Sequence, residues 1–164
     1  MLILGIDPGS RRTGWGLIRR QGNRHEHVAS GTIRLDEDAP LPERLLALDR
    51  ALEALLAEHH ADAAALEQIF SAKNARSALV LGHARGVIIA AIARRGLPLF
   101  EYTPTQVKQA VTGSGRADKQ QIARMVAVLL NHRAALQEDQ ADALAVAITH
   151  AAAAGLPQRG SRPT

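Results

Sequence analysis

Four acidic residues sit where a charge is costly or where charges crowd: Asp7, Glu67, Asp139 and Asp142. Asp7 closes the run Met1–Ile6, apolar on both alternating faces, which is the pattern of a central strand covered on both sides. Glu67 interrupts a second apolar run, Ala63–Phe70. A carboxylate taken out of water without a partner is expensive. Each acid has an ordinary reading when taken singly. Asp7 suits the turn Asp7-Pro8-Gly9, with Pro8 pre-setting φ and Gly9 supplying a positive φ; Glu67 suits a strand end that reaches water. Asp139 and Asp142, three residues apart at a helix start, offset the macrodipole, cap free N–H groups and project from the same face. What the separate readings leave unexplained is the coincidence. Two strands expected side by side both end in acids, and the last helix can bring its first turn to the same sheet edge, where ligand sites of α/β sheets form. Four carboxylates there repel and raise one another's pKa unless cations join them, and hard divalent ions, magnesium first, suit an all-oxygen cage.

The elements that must position these acids follow from the pattern. Thr13–Arg20 alternates, Gly22-Asn23 turns, and His25–Leu35 gives a third strand, so the first third is an antiparallel meander. Leu41, Leu45, Leu48, Leu52 and Leu55 mark an amphipathic helix that His59-His60 ends. Adjacent residues on a helix diverge by about 100°, so the histidine pair reads as a solvated end rather than a metal site. Lys73–Arg95 is a long helix with small residues four apart, Ala78, Gly82, Gly86 and Ala90. Such a stripe implies a closely approaching backbone, either the sheet beneath or a second subunit. Leu97–Tyr102 is a short strand, Thr103-Pro104 opens a helix carrying Lys108, and Thr112–Arg116 is a flexible basic loop. Asp118 caps the helix Lys119–Asn131, and the last helix runs to Ala154. The expected domain is a single α/β unit, residues 1–155, on a five-stranded mixed sheet, three antiparallel strands then two parallel, flanked by helices; 156–164 reads as a disordered tail.

The whole-chain properties narrow the function. The 164 residues include no cysteine, which excludes disulfides and thiolate metal sites. No stretch reaches about 18 uninterrupted apolar residues, no secretory signal is visible, and the expected location is cytoplasmic with no membrane partner. A net charge of +4 attracts polyanions, nucleic acid first, and makes the four acids stand out.

Gly5-Ile6-Asp7-Pro8-Gly9 with Thr13-Gly14-Trp15-Gly16, Glu67-Gln68-Ile69-Phe70 with Lys73-Asn74, Gly82-His83-Ala84-Arg85-Gly86, Tyr102-Thr103-Pro104 through Val107-Lys108, and Asp139-Gln140-Ala141-Asp142-Ala143-Leu144-Ala145 occur in one order. From Met1 to about Ala154 the chain thereby resembles the RuvC family of bacterial Holliday-junction resolvases. The resemblance implies the RNase H-like fold and makes Asp7, Glu67, Asp139 and Asp142 the metal-binding catalytic acids; some members carry His at the position of Asp139. It implies two Mg2+ ions, with Mn2+ as an alternative, about 3.5–4 Å apart on one phosphodiester. The products would be paired symmetric nicks with 5′-phosphate and 3′-hydroxyl ends, in recombination and DNA repair. Phe70 would stack on an unpaired base, worth about 1–3 kcal/mol. Lys108 and Lys119 match DNA-contacting lysines, while Lys73, Arg76, Arg116 and Arg124 are phosphate contacts from charge and position. The substrate would be a four-way DNA junction, and its near two-fold symmetry suits a homodimer. The family also implies the RuvA–RuvB branch-migration complex as partner.

Rival readings are weaker on the same residues. An actin-like kinase or ATPase needs a second domain and a second glycine-rich loop. A non-catalytic junction-binding protein has no use for facing acids. A RuvC-like nuclease acting on other nucleic acid leaves Phe70 and Lys119 unexplained.

Overall fold

A computed structural model describes residues 1–68 and 74–154 of the chain. Five strands form one sheet: β1 (Leu2–Asp7), β2 (Arg12–Gln21), β3 (Arg24–Arg34), β4 (Ala63–Glu67) and β5 (Leu99–Tyr102). Their order across the sheet is β3-β2-β1-β4-β5. The meander pairs antiparallel, whereas β4 and β5 run parallel to β1. The mixed sheet expected from the sequence is the one observed. The helices among the described residues are α1 (Leu41–Glu58), α2 (Ala75–Arg94), α3 (Pro104–Thr112), α4 (Lys119–Leu129) and α5 (Glu138–Ala153).

The alternation in β1 decides which helices lie on which face. Leu4 and Ile6 pack with Leu48, Leu52, Ile88 and Ile92 of α1 and α2. Ile3 faces the other way, with Val107, Ile122, Val126, Leu144 and Ile148 of α3, α4 and α5. Helix ends sit where local chemistry places them. Thr103 and Asp118 each form a reciprocal capping box, with Gln106 and Gln121 respectively, and Asn74 accepts the Ser77 N–H.

α5 lies unusually close to the sheet. A Cβ built on Gly5 would stand 2.1 Å from the Ala143 carbonyl oxygen, and one on Gly14 would stand 2.0 Å from the Asp139 carbonyl oxygen. The helix answers with alanines: Ala141, Ala143, Ala145, Ala147 and Ala151 are all buried. Small residues on both sides let two backbones approach, and this brings the first turn of α5 down to the end of β1.

One expectation about glycine fails, and one of the two readings of the α2 stripe is excluded. Gly9 does not adopt a positive φ; among the described glycines only Gly22, Gly96 and Gly113 do. Gly9 is required for space, since a Cβ there would meet the Arg12 carbonyl oxygen at 1.9 Å. The stripe on α2 does not pack on the sheet. Ala78, Gly82, Gly86 and Ala90 are exposed, nothing lies within 4 Å of a Cβ added at Gly82 or Gly86, and the sheet receives Ala84, Ile88, Ala91 and Ile92 instead. α2 is long and apolar enough, by length and composition, to cross a membrane. Here its inner side belongs to the α1–sheet core.

Gly5→Ala forces α5 away from β1, and overpacking of this kind costs about 1–3 kcal/mol. Urea denaturation is expected to show a lower midpoint at unchanged slope; an unchanged midpoint would contradict the close-approach account.

Candidate active site

Strand register brings the first two acids together. Ile3 pairs with Ala63, Gly5 with Ala65 and Ile6 with Leu66, so the next step sets Asp7 beside Glu67. Ile3, Gly5 and Asp7 share one face because side chains alternate along a strand, and Ala63, Ala65 and Glu67 share it with them. That is the face α5 covers. Asp142, one turn into α5, arrives over the same end, and Asp7, Glu67 and Asp142 line one cleft of about 310 Å³ with Lys108, Lys119, Pro104, Val107, Ile122 and Ala145.

The electrostatics of this cleft are those of crowded like charges in a poorly hydrated place. The Asp7 carboxyl is pushed up to about 8, first by burial, then by Asp142 and Glu67. Glu67 and Asp142 are also raised, burial leading in both; Asp142 adds to the shift of Glu67, and Lys119 opposes it in both. Lys119 is the principal local counter-charge. Its Nζ lies 2.5 Å from Oε1 of Glu138 and 3.4 Å from Oδ2 of Asp142. These contacts raise its pKa above the ordinary lysine range. Among the described residues no three acidic or histidine side chains close on a single point as a finished metal cage. The three carboxylates converge on one cleft with only Lys119 and Lys108 as local counter-charge, a donor set of oxygens that suits hard cations.

Other residues hold the acids in place. Arg85 of α2 donates from Nη1 to the Glu67 main-chain carbonyl at 2.8 Å and pairs through Nη2 with Glu101, tying the end of β4 to α2 and β5. The Gln68 N–H donates to the Tyr102 carbonyl, extending the β4–β5 ladder past the acid.

The remaining sequence-derived candidates fall in different places. Asp139 is half-buried beside Gly14 and does not line the cleft, although its charge contributes to the upward shifts of Asp7 and Asp142. Lys108 and Lys119 both line the cleft. Arg116 lines a neighbouring hollow with Arg124, Gln121 and Ser114, and Arg76 is exposed in the first turn of α2. Phe70 and Lys73 lie outside the described residues, as does the segment 156–164. Sequence reasoning missed Glu138 and the structural duty of Arg85. The only available signal for Arg85 was its place inside Gly82-His83-Ala84-Arg85-Gly86, and an exposed acid such as Glu138 gave none.

Comparison with known proteins places the chain in a family. The family described as "Crossover junction endodeoxyribonuclease RuvC" matches residues 3–150. A crossover junction endodeoxyribonuclease RuvC from Citrifermentans bemidjiense is 52% identical over 156 residues, 95% of each chain. One from Syntrophotalea carbinolica is 54% identical over 151 residues, covering 92% of this chain and 94% of that protein. Among solved structures, Thermus thermophilus RuvC in complex with Holliday junction substrate superposes with a TM-score of 0.90 at 32% identity, over 94% of this chain and 95% of that one. The yeast mitochondrial Holliday junction resolvase Ydc2, at 14% identity, shares the fold alone, with a TM-score of 0.67 over 92% of this chain and 77% of its own. A fold, a cleft of acids and a match running through nearly the whole chain thus meet on one conclusion: the chain belongs to the RuvC family of crossover junction endodeoxyribonucleases.

Proposed function

We propose that the protein resolves four-way DNA junctions by metal-dependent hydrolysis in the cleft formed by Asp7, Glu67 and Asp142, with Asp139 at its edge. One observation carries this reading: an aspartate at the end of a central strand, held near two further carboxylates at a cost that bound divalent cations would offset. Metal dependence is a property of the family's nucleases, and the donor set fits it, being carboxylate oxygen without sulfur or a histidine in the cleft. Asp7, Glu67 and Asp142 would hold the ions, Mg2+ first and two in number. Held by these carboxylates, divalent ions would supply water activation for in-line attack on phosphorus and charge stabilisation of the leaving 3′-oxygen, consistent with 5′-phosphate and 3′-hydroxyl ends.

The protein's own groups do the rest. Lys108 and Lys119 at the cleft rim supply positive charge to the backbone flanking the scissile phosphate, and Arg116 extends the basic surface along the loop after α3. Arg76 lies on the first turn of α2, and Phe70 and Lys73 complete the DNA-facing set on the family resemblance. The alternatives, action on other nucleic acid or binding without cutting, lack support from the site: raised carboxyl pKa values and acid-lined walls disfavour a purely DNA-binding role. A DNA substrate and the lack of cysteine support a cytoplasmic location as part of this reading.

Paired nicking requires two active sites on one junction, and the outward face of α2 offers a means. Ala78, Gly82, Gly86 and Ala90 leave that face shallow, and Leu79 beside them is 64% exposed. A second copy of this chain laid against it buries the apolar surface that the monomer leaves open, giving a two-fold homodimer.

Asp7→Asn is expected to bind a four-way junction as tightly as the wild type while cleavage in Mg2+ disappears; near wild-type cutting would contradict the assignment. In chelator the raised Asp7 pKa has a stability consequence. Between the unfolded value near 4 and the folded value near 8, the folded state holds a proton that the unfolded state has released. Stability therefore falls as pH rises through this window. Asp7→Asn should flatten that slope, leaving the smaller share from Glu67 and Asp142, and melt higher than the wild type at pH 8, each kcal/mol recovered being worth about 2–4 °C. Equal melting temperatures across pH 5–8 would show that Asp7 is not under this strain. Gly86→Arg, at a position open to solvent within the chain, should yield a folded monomer by light scattering and lose paired nicking; an unchanged dimer mass would place the interface elsewhere.

A further inference from the structure

Lys119 is shared between two acids of different standing. Glu138 is the first residue of α5 and Asp142 lies one turn later, so both present carboxylates to the same side of the helix. Across from them, at the first position of α4, the Lys119 ammonium sits 2.5 Å from Glu138 and 3.4 Å from Asp142. The Lys119 and Glu138 side chains are 69% and 67% exposed, whereas that of Asp142 is 22% exposed. An ion pair that open to water contributes little to folding, so stabilising the fold does not account for it. Glu138 is also not among the cleft-lining residues, and it makes no other described hydrogen bond or ion pair.

Its position relative to the cleft gives it a use. Lys119 is the ammonium that contacts Asp142, and a cation entering the cleft must compete with it for that carboxylate. If Lys119 had Asp142 as its sole partner, the competition would be direct. Glu138 offers a nearer, wetter partner on the cleft's outer side. We propose that Glu138 is a positioning residue that draws the Lys119 ammonium off Asp142, leaving that carboxylate to the metal and holding the ammonium at the rim where a DNA phosphate arrives. This rests on the reading of the cleft as a cation site.

The test is Mn2+ binding by calorimetry, without DNA, on the wild type, E138Q, E138D, K119M and the double variant E138Q/K119M. Coupling between contacting residues is commonly large enough to read, and E138Q should weaken Mn2+ binding about 3- to 10-fold, with E138D recovering most of the loss. In the K119M background, E138Q should have no further effect, because the competitor is gone. Equal weakening in both backgrounds would mean that Glu138 acts by its own charge, and no weakening in either would mean that it does not act; each overturns the proposal. A wild type that binds no Mn2+, or a D142N variant that binds it as well as the wild type, would instead overturn the reading of the cleft itself.

Discussion

Repulsion among partly buried carboxylates crowded at one end of the sheet is the constraint on which this architecture turns. Asp7 cannot retreat, because it terminates the central strand and is packed beneath α5. Glu67 cannot retreat either, because Arg85 and the β4–β5 ladder fix the backbone on which it is carried. Asp142 comes down with a helix whose buried alanines leave no slack. The fold therefore maintains an unfavourable arrangement of charge, and an arrangement maintained against its own electrostatics implies a compensating ligand. Lys119 supplies part of that compensation and Lys108 lowers Glu67 further. Neither restores Asp7 to the ordinary carboxylate range.

The glycines of β1 and β2 are what make the arrangement mechanically possible. Gly5 and Gly14 remove the Cβ atoms that would otherwise hold α5 a full side chain above the sheet. Raised by that distance, Asp142 would face solvent and its charge would be screened. Two backbone surfaces in contact thus do more than pack: they set how near Asp142 can stand to Asp7, and so how strongly both carboxyls are perturbed. On α2 the small residues face outward instead, away from the sheet.

How much of this was legible in the sequence depended on whether a residue's meaning is local. Asp7 and Glu67 were legible because a charge breaks an apolar run; that they share a face needed the β1–β4 register. The antiparallel meander, the helix start at Thr103-Pro104 and the Asp118 cap followed from patterns only a few residues long. Gly9 was misread because a turn glycine was assumed to serve φ, when its need is room for the Arg12 carbonyl. The α2 stripe was only half legible, since periodicity shows a flat helix face and not what lies against it. Asp139 and Asp142 were expected on one face, yet three residues of helix leave them about 60° apart, enough to put one in the cleft and the other at its edge. Glu138 and Arg85 were illegible for the same reason as each other. Their partners are 19 and 18 residues away in the chain, and only tertiary structure joins them.

The central claim is that these particular oxygens exist to hold cations. It is tested most directly by growing crystals in Mn2+ and recording anomalous scattering at the manganese edge. The account predicts density bounded by the carboxylates of Asp7, Glu67 and Asp142, with the Lys119 ammonium turned toward Glu138. Manganese found elsewhere on the surface, with those three carboxylates still apart and Lys119 still on Asp142, would contradict it.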